Sequence, residues 1–429
     1  MNRLLIIADD FTGALDTGVQ FVKAGLCVKV CLWTQFDASI LDDGCSVYSV
    51  DCESRHMSSD QASKRIRQVC QQAVALSFKY FYKKTDSTLR GNIGAEITAC
   101  LETVQRSQPF IFIPSYPKAN RMLKNGIMYV NNVRLDQTDY ADDPLNPITE
   151  ASASSLFRDN QNLQMSVLSE PCFVDTTSME EHDQPDLYIL DSDSDTQLRR
   201  IADYLAEIKW LKLTGGCAGF AEFLAEIIAS QPGWARITSD AAAASPPGLL
   251  VICGSVNPRS LRQIDQFISA HPDHVRHTLT TEQKQQNFWR SDDAKVLIHR
   301  WHNILEQQLP VIVQTIDRHT SFDQTIDEQA VAVSLAQVVK LLVAENTRFS
   351  LVVFGGDTLF SIARELDFHF LRPLQEVTSG VVQSQVKTDT GTMMLYSKAG
   401  GLGHGQVLQE IDGVIRTADH SSKLQIERT

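Results

Sequence analysis

Through the first half of the chain, short apolar runs alternate with longer amphipathic ones. The runs Leu4–Ala8, Val28–Trp33, Ser46–Val50, Tyr80–Lys83, Phe110–Ile113 and Leu187–Leu190 predict strands covered on both faces, because a strand with a wet face would alternate apolar with polar residues. Between them, a helical period predicts helices over Ala14–Lys23, Ser59–Ser77, Ile93–Val104, Asp195–Ile208 and Ala218–Ala229. Buried strands separated by helices predict βαβ units and a mostly parallel sheet. Residues 114–150 break the pattern: Pro114, Pro117, Pro144 and Pro147 stand among many polar residues, which reads as a long functional excursion.

A stretch rich in Pro, Ala and Ser, residues 231–248, marks a boundary. The alternation then restarts with strand Leu249–Cys253, helices Pro258–Ala270 and Asp292–Leu309, strand Val311–Gln314, helix Asp327–Ala344, strand Ser350–Phe354 and, later, strand Met393–Tyr396. The expected fold is therefore two α/β domains with mostly parallel sheets, 1–230 and 249–429, joined by the linker 231–248. Ligands of such folds sit beyond the carboxyl ends of the strands and between domains, so the active site is expected in the interdomain cleft.

Composition narrows the class. A chain of 429 residues, 43% hydrophobic and 21% charged, has the length of two or three domains and is no disordered chain. A formal net charge of −13 argues against general nucleic-acid or anionic-membrane binding. No apolar run reaches the ~18 residues of a membrane span, and the apolar stretch before Asp9 is shorter than the ~7–15 residues of a secretory core. Nine scattered cysteines without a Cys-x-x-Cys pair read as reduced thiols, and the expected compartment is the cytoplasm.

Chemistry concentrates where strands end. Asp9 and Asp10 follow Leu4–Ala8 directly; paired carboxylates there can bind the hydroxyls of a polyol or hold a metal, and helix capping accounts for only one of them. Lys83, Lys84, Thr85, Asp86, Ser87, Thr88 and Arg90 crowd the segment after Tyr80–Lys83. Cations at a helix start suit a carboxylate or phosphate, although a charged run is by default a solvated loop. Arg55 occupies a similar position after a strand. Gly254-Ser255 and Gly355-Gly356-Asp357-Thr358 lie between strand and helix, where small residues admit a phosphate to the backbone. There Asp357 is a helix cap, a metal ligand or a base. Lys398-Ala399-Gly400-Gly401-Leu402-Gly403-His404-Gly405 is the densest glycine stretch.

The P-loop, the first-strand dinucleotide fingerprint and the protein-kinase signatures are absent from the sequence. His271, His274, His277, His299 and His302 match no zinc pattern and read as surface histidines.

Taken in order, the segments Ala8–Ala14, Lys84–Asn92, Gly254-Ser255, Gly355–Thr358 and Lys398–Gly403 resemble the four-carbon acid sugar kinase family. The resemblance implies ATP-dependent phosphorylation of the terminal hydroxyl of a tetronic acid, with the sugar acid on the N-terminal domain and ATP on the C-terminal domain; the mechanism expected for such a transfer adds Mg²⁺ between the β- and γ-phosphates. Carried over, Asp9, Arg55, Lys83, Lys84, Thr85, Asp86 and Ser87 form the acid-sugar site. Ser255, Gly355, Gly356, Asp357, Thr358, Gly400 and Gly401 form the nucleotide site; Ala399 and Leu402 receive no role. The run Asp16–Gln20 is closer to D-threonate kinases than to 3-oxo-tetronate kinases, so the expected product is 4-phospho-D-threonate, with D-erythronate or a 3-oxo-tetronate as the alternative substrate.

Phosphoryl transfer is mostly positioning and charge neutralisation, and a closing cleft would exclude water. Asp86 and Asp357 are both candidates for the base that accepts the hydroxyl proton. A sugar-acid oxidoreductase or aldolase, with a Schiff-base lysine at 83 or 84, and a non-catalytic sugar-acid sensor are the competing classes. The small-molecule substrate is the expected partner, and a homodimer is compatible with the sequence.

Overall fold

The computed structural model describes the chain except residues 43, 105–107, 144–145, 161, 170–183, 238–245, 247, 317–327, 390, 400–401 and 427–429. It divides into two compact units, Met1–Thr238 and Ser239–Thr429. Most of the segment 238–248 lies outside the described residues.

In the first unit, β1 (Leu4–Ala8), α1 (Phe11–Lys23), β2 (Val28–Leu32), β3 (Val47–Asp51), α2 (Ser59–Ala75), β4 (Tyr80–Lys84), α3 (Ile93–Thr103) and β5 (Phe110–Ile113) follow in turn. The excursion comes next, folding as a small antiparallel sheet of β6 (Arg121–Lys124), β7 (Ile127–Val130) and β8 (Val133–Arg134). The chain then returns through β9 (Met165–Leu168), β10 (Leu187–Leu190), α4 (Asp195–Glu207), β11 (Leu213–Gly216) and α5 (Ala218–Ser230).

The main strands lie in the order β2-β3-β1-β4-β11-β5-β10-β9, and every neighbouring pair is parallel. Residues of β1, β3 and β5 are buried throughout, because helices cover both faces: α1 packs on α5, and α2 on α3. After β1 the chain builds β2 and β3 on one side of it and then crosses to β4 on the other. The strand order therefore reverses at β1, and the loops leaving β1 and β4 diverge there. Such a reversal opens a crevice at the strands' carboxyl edge.

The second unit contains β12 (Leu249–Cys253), α6 (Pro258–Ala270), β13 (Val275–Thr278), α7 (Asp292–Glu306), β14 (Val311–Gln314), α8 (Glu328–Ala344), β15 (Ser350–Phe354), α9 (Gly356–Glu365), β16 (Phe370–Thr378), β17 (Val381–Thr388), β18 (Gly391–Lys398) and α10 (Val407–Ile426). Its strands run β13-β14-β12-β15-β18-β17-β16. The first five are mutually parallel, whereas β17 is antiparallel to both β16 and β18. Val251, Phe267, Val352, Tyr396 and Ile411 belong to its core. Here the order reverses between β12 and β15, so the two glycine loops that follow them share one crevice.

Candidate functional site

Parallel register sets the rim of the first unit: Ala8 lies beside Asp51 on one flank and Lys84 on the other. The residues just past them, Asp9, Asp10 and Asp86, therefore meet although their strands are far apart in sequence. Asp10 caps α1, accepting the Gly13 N–H at 3.0 Å and the Thr12 hydroxyl at 2.8 Å. Asp9 caps nothing. Its carboxylate is buried against the Arg55 Nε at 2.7 Å and the Lys84 Nζ at 3.1 Å. The same cations reach Asp10 at 2.9 and 3.0 Å. Burial opposes charge on Asp9 and Asp10, yet the Arg55 and Lys84 charges outweigh it and hold both carboxyls below the usual range.

Asp86 extends the network. Both of its oxygens accept from Arg90, each at 3.0 Å, and the Thr88 N–H and hydroxyl donate to Oδ2. Arg55 lies 3.8 Å from Oδ1. Burial resists its ionisation, but Arg90 and then Arg55 hold it well below the usual carboxylate range. Arg90 in turn bonds Asp143 of the excursion at 3.0 Å and stacks 5.3 Å from the Tyr140 ring centroid. The excursion thus closes one side of this rim. Thr85 is fully buried with its amide on Gly216 O at 2.8 Å, and Ser87 is half-buried.

Lys83 departs from the substrate-facing expectation. Adjacent strand residues point to opposite faces, so Lys84 faces α1 and Lys83 faces α3. The Lys83 ammonium meets Glu96 at 2.8 Å, with both side chains at 0% exposure, and donates to the carbonyls of Ile7 and Lys84. Its three N–H directions are taken by the protein, and its place is beneath the rim.

Two residues that the sequence reading passed over also shape the rim. A Cβ on Gly13 would sit 1.9 Å from the Lys84 Nζ, so glycine is what lets the lysine cross α1 to the two aspartates; a glycine in the first turn of a helix was the available signal. Asp51 is fully buried, accepts the Glu53 N–H at 2.9 Å, and has no hydrogen-bond partner for Oδ2 among the described residues. Burial, with the Asp10 and Asp9 charges adding, pushes its carboxyl up to about 7.

In the second unit, Gly254 and Gly355 bring two loops into contact, with the Gly254 N–H on Phe354 O at 3.1 Å. Gly355 has φ +117°, a conformation that L side chains rarely adopt, and a Cβ on Gly254 would meet the Thr358 hydroxyl at 1.9 Å. Gly355 is the N-cap of α9. Asp357 therefore does not cap the helix but stands exposed in its first turn. Thr358 is buried between the loops, and the half-buried Ser255 accepts the Asn257 N–H at 3.3 Å. Gly400 and Gly401 lie outside the described residues. His271 stacks on Phe267 and His277 bonds Gln283. Among the described residues no group of three His, Cys, Asp or Glu could hold a metal ion, and no helix is long and apolar enough to cross a membrane.

An ion-pair rim suited to an acid polyol on one unit, and glycine loops at a strand-order reversal on the other, define a sugar kinase class. The comparisons agree. A family model described as a sugar-binding N-terminal domain matches residues 4–224, and one described as a nucleotide-binding C-terminal domain matches residues 250–408. The chain belongs to the four-carbon acid sugar kinase family and is a sugar-acid phosphotransferase.

It is 27% identical to a D-threonate kinase of Salmonella typhimurium, over 95% of this chain and 96% of that one. Identity is 23% to a D-erythronate kinase of Heliobacterium modesticaldum, over 85% and 80% of the two chains. A 3-oxo-tetronate kinase of Methylobacterium radiotolerans is 25% identical over 92% and 95%. The fold is shared with a solved Salmonella typhimurium LT2 protein described as a putative tRNA synthase, with a TM-score of 0.79 and 19% identity over 96% of this chain and 99% of that one.

Proposed function

We propose that the protein transfers the γ-phosphoryl group of ATP to the 4-hydroxyl of D-threonate, giving 4-phospho-D-threonate and ADP. The observation that carries the sugar-acid half is the Arg55–Lys84 clamp, which holds Asp9 and Asp10 ionised at the carboxyl edge of β1 and β4. Ionised carboxylates accept from the substrate's hydroxyls, and the cations that hold them can also receive its carboxylate. The D-threonate preference rests on the full-length similarity to a D-threonate kinase; the D-erythronate kinase relative supports D-erythronate as the second reading.

The nucleotide half rests on the loops at Ser255 and Gly355–Thr358, whose glycines carry no side chain to keep a phosphate from the backbone. Mg²⁺ would neutralise charge on the phosphates. It fits here as an ion carried on the nucleotide and its waters, since the described residues form no protein cage for it.

Of the two candidate bases, Asp86 has both oxygens engaged by Arg90 and Thr88 and a depressed proton affinity. That suits it to fixing the arginines. Asp357, exposed in the first turn of α9, is assigned the proton of the attacking hydroxyl. Lys83, turned to Glu96, supports the rim from beneath.

The test is ADP release with ATP and Mg²⁺ against D- and L-threonate, D- and L-erythronate and 3-oxo-tetronates. Preferred turnover of D-threonate is expected. Preference for another member reassigns the substrate, and a folded protein that fails to bind ATP overturns the kinase reading.

A further inference from the structure

We propose that Lys398 binds the phosphate chain of the nucleotide from beneath the glycine loops, with Arg259 at the rim; this rests on the reading of the second unit as the ATP site.

Lys398 ends β18 in register with Phe354, the residue just before Gly355 on β15. Its side chain is 0% exposed. The ammonium hydrogen-bonds the Ser260 hydroxyl at 3.2 Å, in the first turn of α6, and lies 4.9 Å from the centroid of the Phe354 ring. On its other side, Lys398 Cε comes within 3.6 Å of where a Cβ on Gly403 would stand. The ammonium therefore sits between the end of β15, before Gly355–Thr358, and the first turn of α6, after Gly254–Asn257, while the side-chain stem runs beside Gly403.

The surroundings favour an anion. The first turn of α6 carries no acid, and Asn257 caps it, so its positive end reinforces the lysine. Arg259 and Arg262 line an open cavity of about 380 Å³ together with Gly403–Gly405. Gln263 anchors that loop through the His404 carbonyl at 2.9 Å. Burial lowers the affinity of Lys398 for its proton to about 8, with the Cys253 thiol opposing this and Arg259 adding to it. An ammonium held in that condition gains from an anion brought close, because the negative charge replaces lost hydration. Polyphosphate is the anion that a glycine-loop crevice admits. The sugar acid belongs to the first unit, where its own cations stand.

The experiment measures the affinity of ADP and of adenosine for the full chain and for Lys398→Met by calorimetry, with a thermal melt of each protein. Met keeps the buried stem and removes the charge. The expected result is a variant at least as heat-stable as the wild type, with ADP binding weakened tenfold or more and adenosine within twofold. Unchanged ADP affinity overturns the proposal, as does parallel weakening of ADP and adenosine. A variant that does not fold assigns Lys398 to the architecture and overturns it equally. Failure of the wild-type chain to bind ADP would instead remove the nucleotide reading on which the proposal stands.

Discussion

The Nε of Arg55 lies 2.7 Å from Oδ2 of Asp9, joining residues 46 positions apart across the edge of one parallel sheet. With Lys84 on the same carboxylate at 3.1 Å, this pair turns two strand-end loops into one charged surface. Substituting its members should separate what holds the fold from what holds the ligand.

Arg55→Met removes a cation shared by Asp9, Asp10 and Asp86. Lys84 and Arg90 still pair these carboxylates, so urea unfolding at pH 8 should show a loss smaller than the about 3–5 kcal/mol of a buried charge left unpaired. Folding lowers the proton affinity of these carboxyls. Their stabilisation is therefore present above the unfolded value near 3.8 and lost as pH falls below it, and the gap between variant and wild type should narrow toward pH 3.

Asp51 acts in the opposite sense. Folding raises its carboxyl to about 7, so between about pH 4 and 7 the folded chain keeps a proton that the unfolded chain has released. Its contribution is whole below pH 4 and declines as pH rises to 7, at about 1.4 kcal/mol per pH unit. Asp51→Asn should lack this decline, and unfolding free energies of both proteins across pH 5–7 measure the difference in slope.

The neighbouring lysines should give contrasting phenotypes. Lys83→Met leaves Glu96 buried without its cation and should cost about 3–5 kcal/mol, most of it regained in Lys83→Met/Glu96→Leu. Lys84→Met should raise the KM for the sugar acid at least tenfold. A large KM effect of the Lys83 substitution in a stable double variant would return that residue to the ligand surface.

Gly13→Ala places a methyl where the Lys84 ammonium lies. The lysine's end can swing away, so melting should move by only a few degrees while KM for the sugar acid rises about as much as in Lys84→Met. An unchanged KM would mean that Lys84 acts from another position.

Asp357→Asn should lower kcat by about 10²–10⁴-fold with little change in sugar-acid KM, whereas Asp86→Asn should act chiefly on KM by loosening Arg90 and Arg55. Steady-state kinetics that reverse this split would exchange the two roles.

Much of the fold was legible because parallel strands buried on both faces leave uninterrupted apolar runs. Leu4–Ala8, Phe110–Ile113, Leu249–Cys253 and Ser350–Phe354 stand at the positions their patterns predict. The pattern did not reveal β11, whose Leu-Thr-Gly-Gly sequence carries little apolar signal, or the antiparallel β16 and β17, whose mixed polar and apolar residues form neither an apolar run nor a strict alternation. The charged segments were visible for the same reason: each follows a strand end, where a parallel α/β sheet places its ligands.

The sequence by itself determined the two-unit α/β architecture and the family, because burial periodicity and strand-end motifs are local properties of the chain. That Lys83 and Lys84 face opposite ways emerged only when the structure extended the strand to Lys84, because strand side chains alternate. Which lysine meets the aspartates was decided only by tertiary structure. That depends on α1, with Gly13, lying over one face and α3, with Glu96, over the other. The pairing of Arg55 with Asp9, the engagement of Arg90 by Asp143, and the burial of Lys398 under the glycine loops are likewise tertiary. Each depends on which strands become neighbours in the sheet, and strand order follows from the packing of the whole unit.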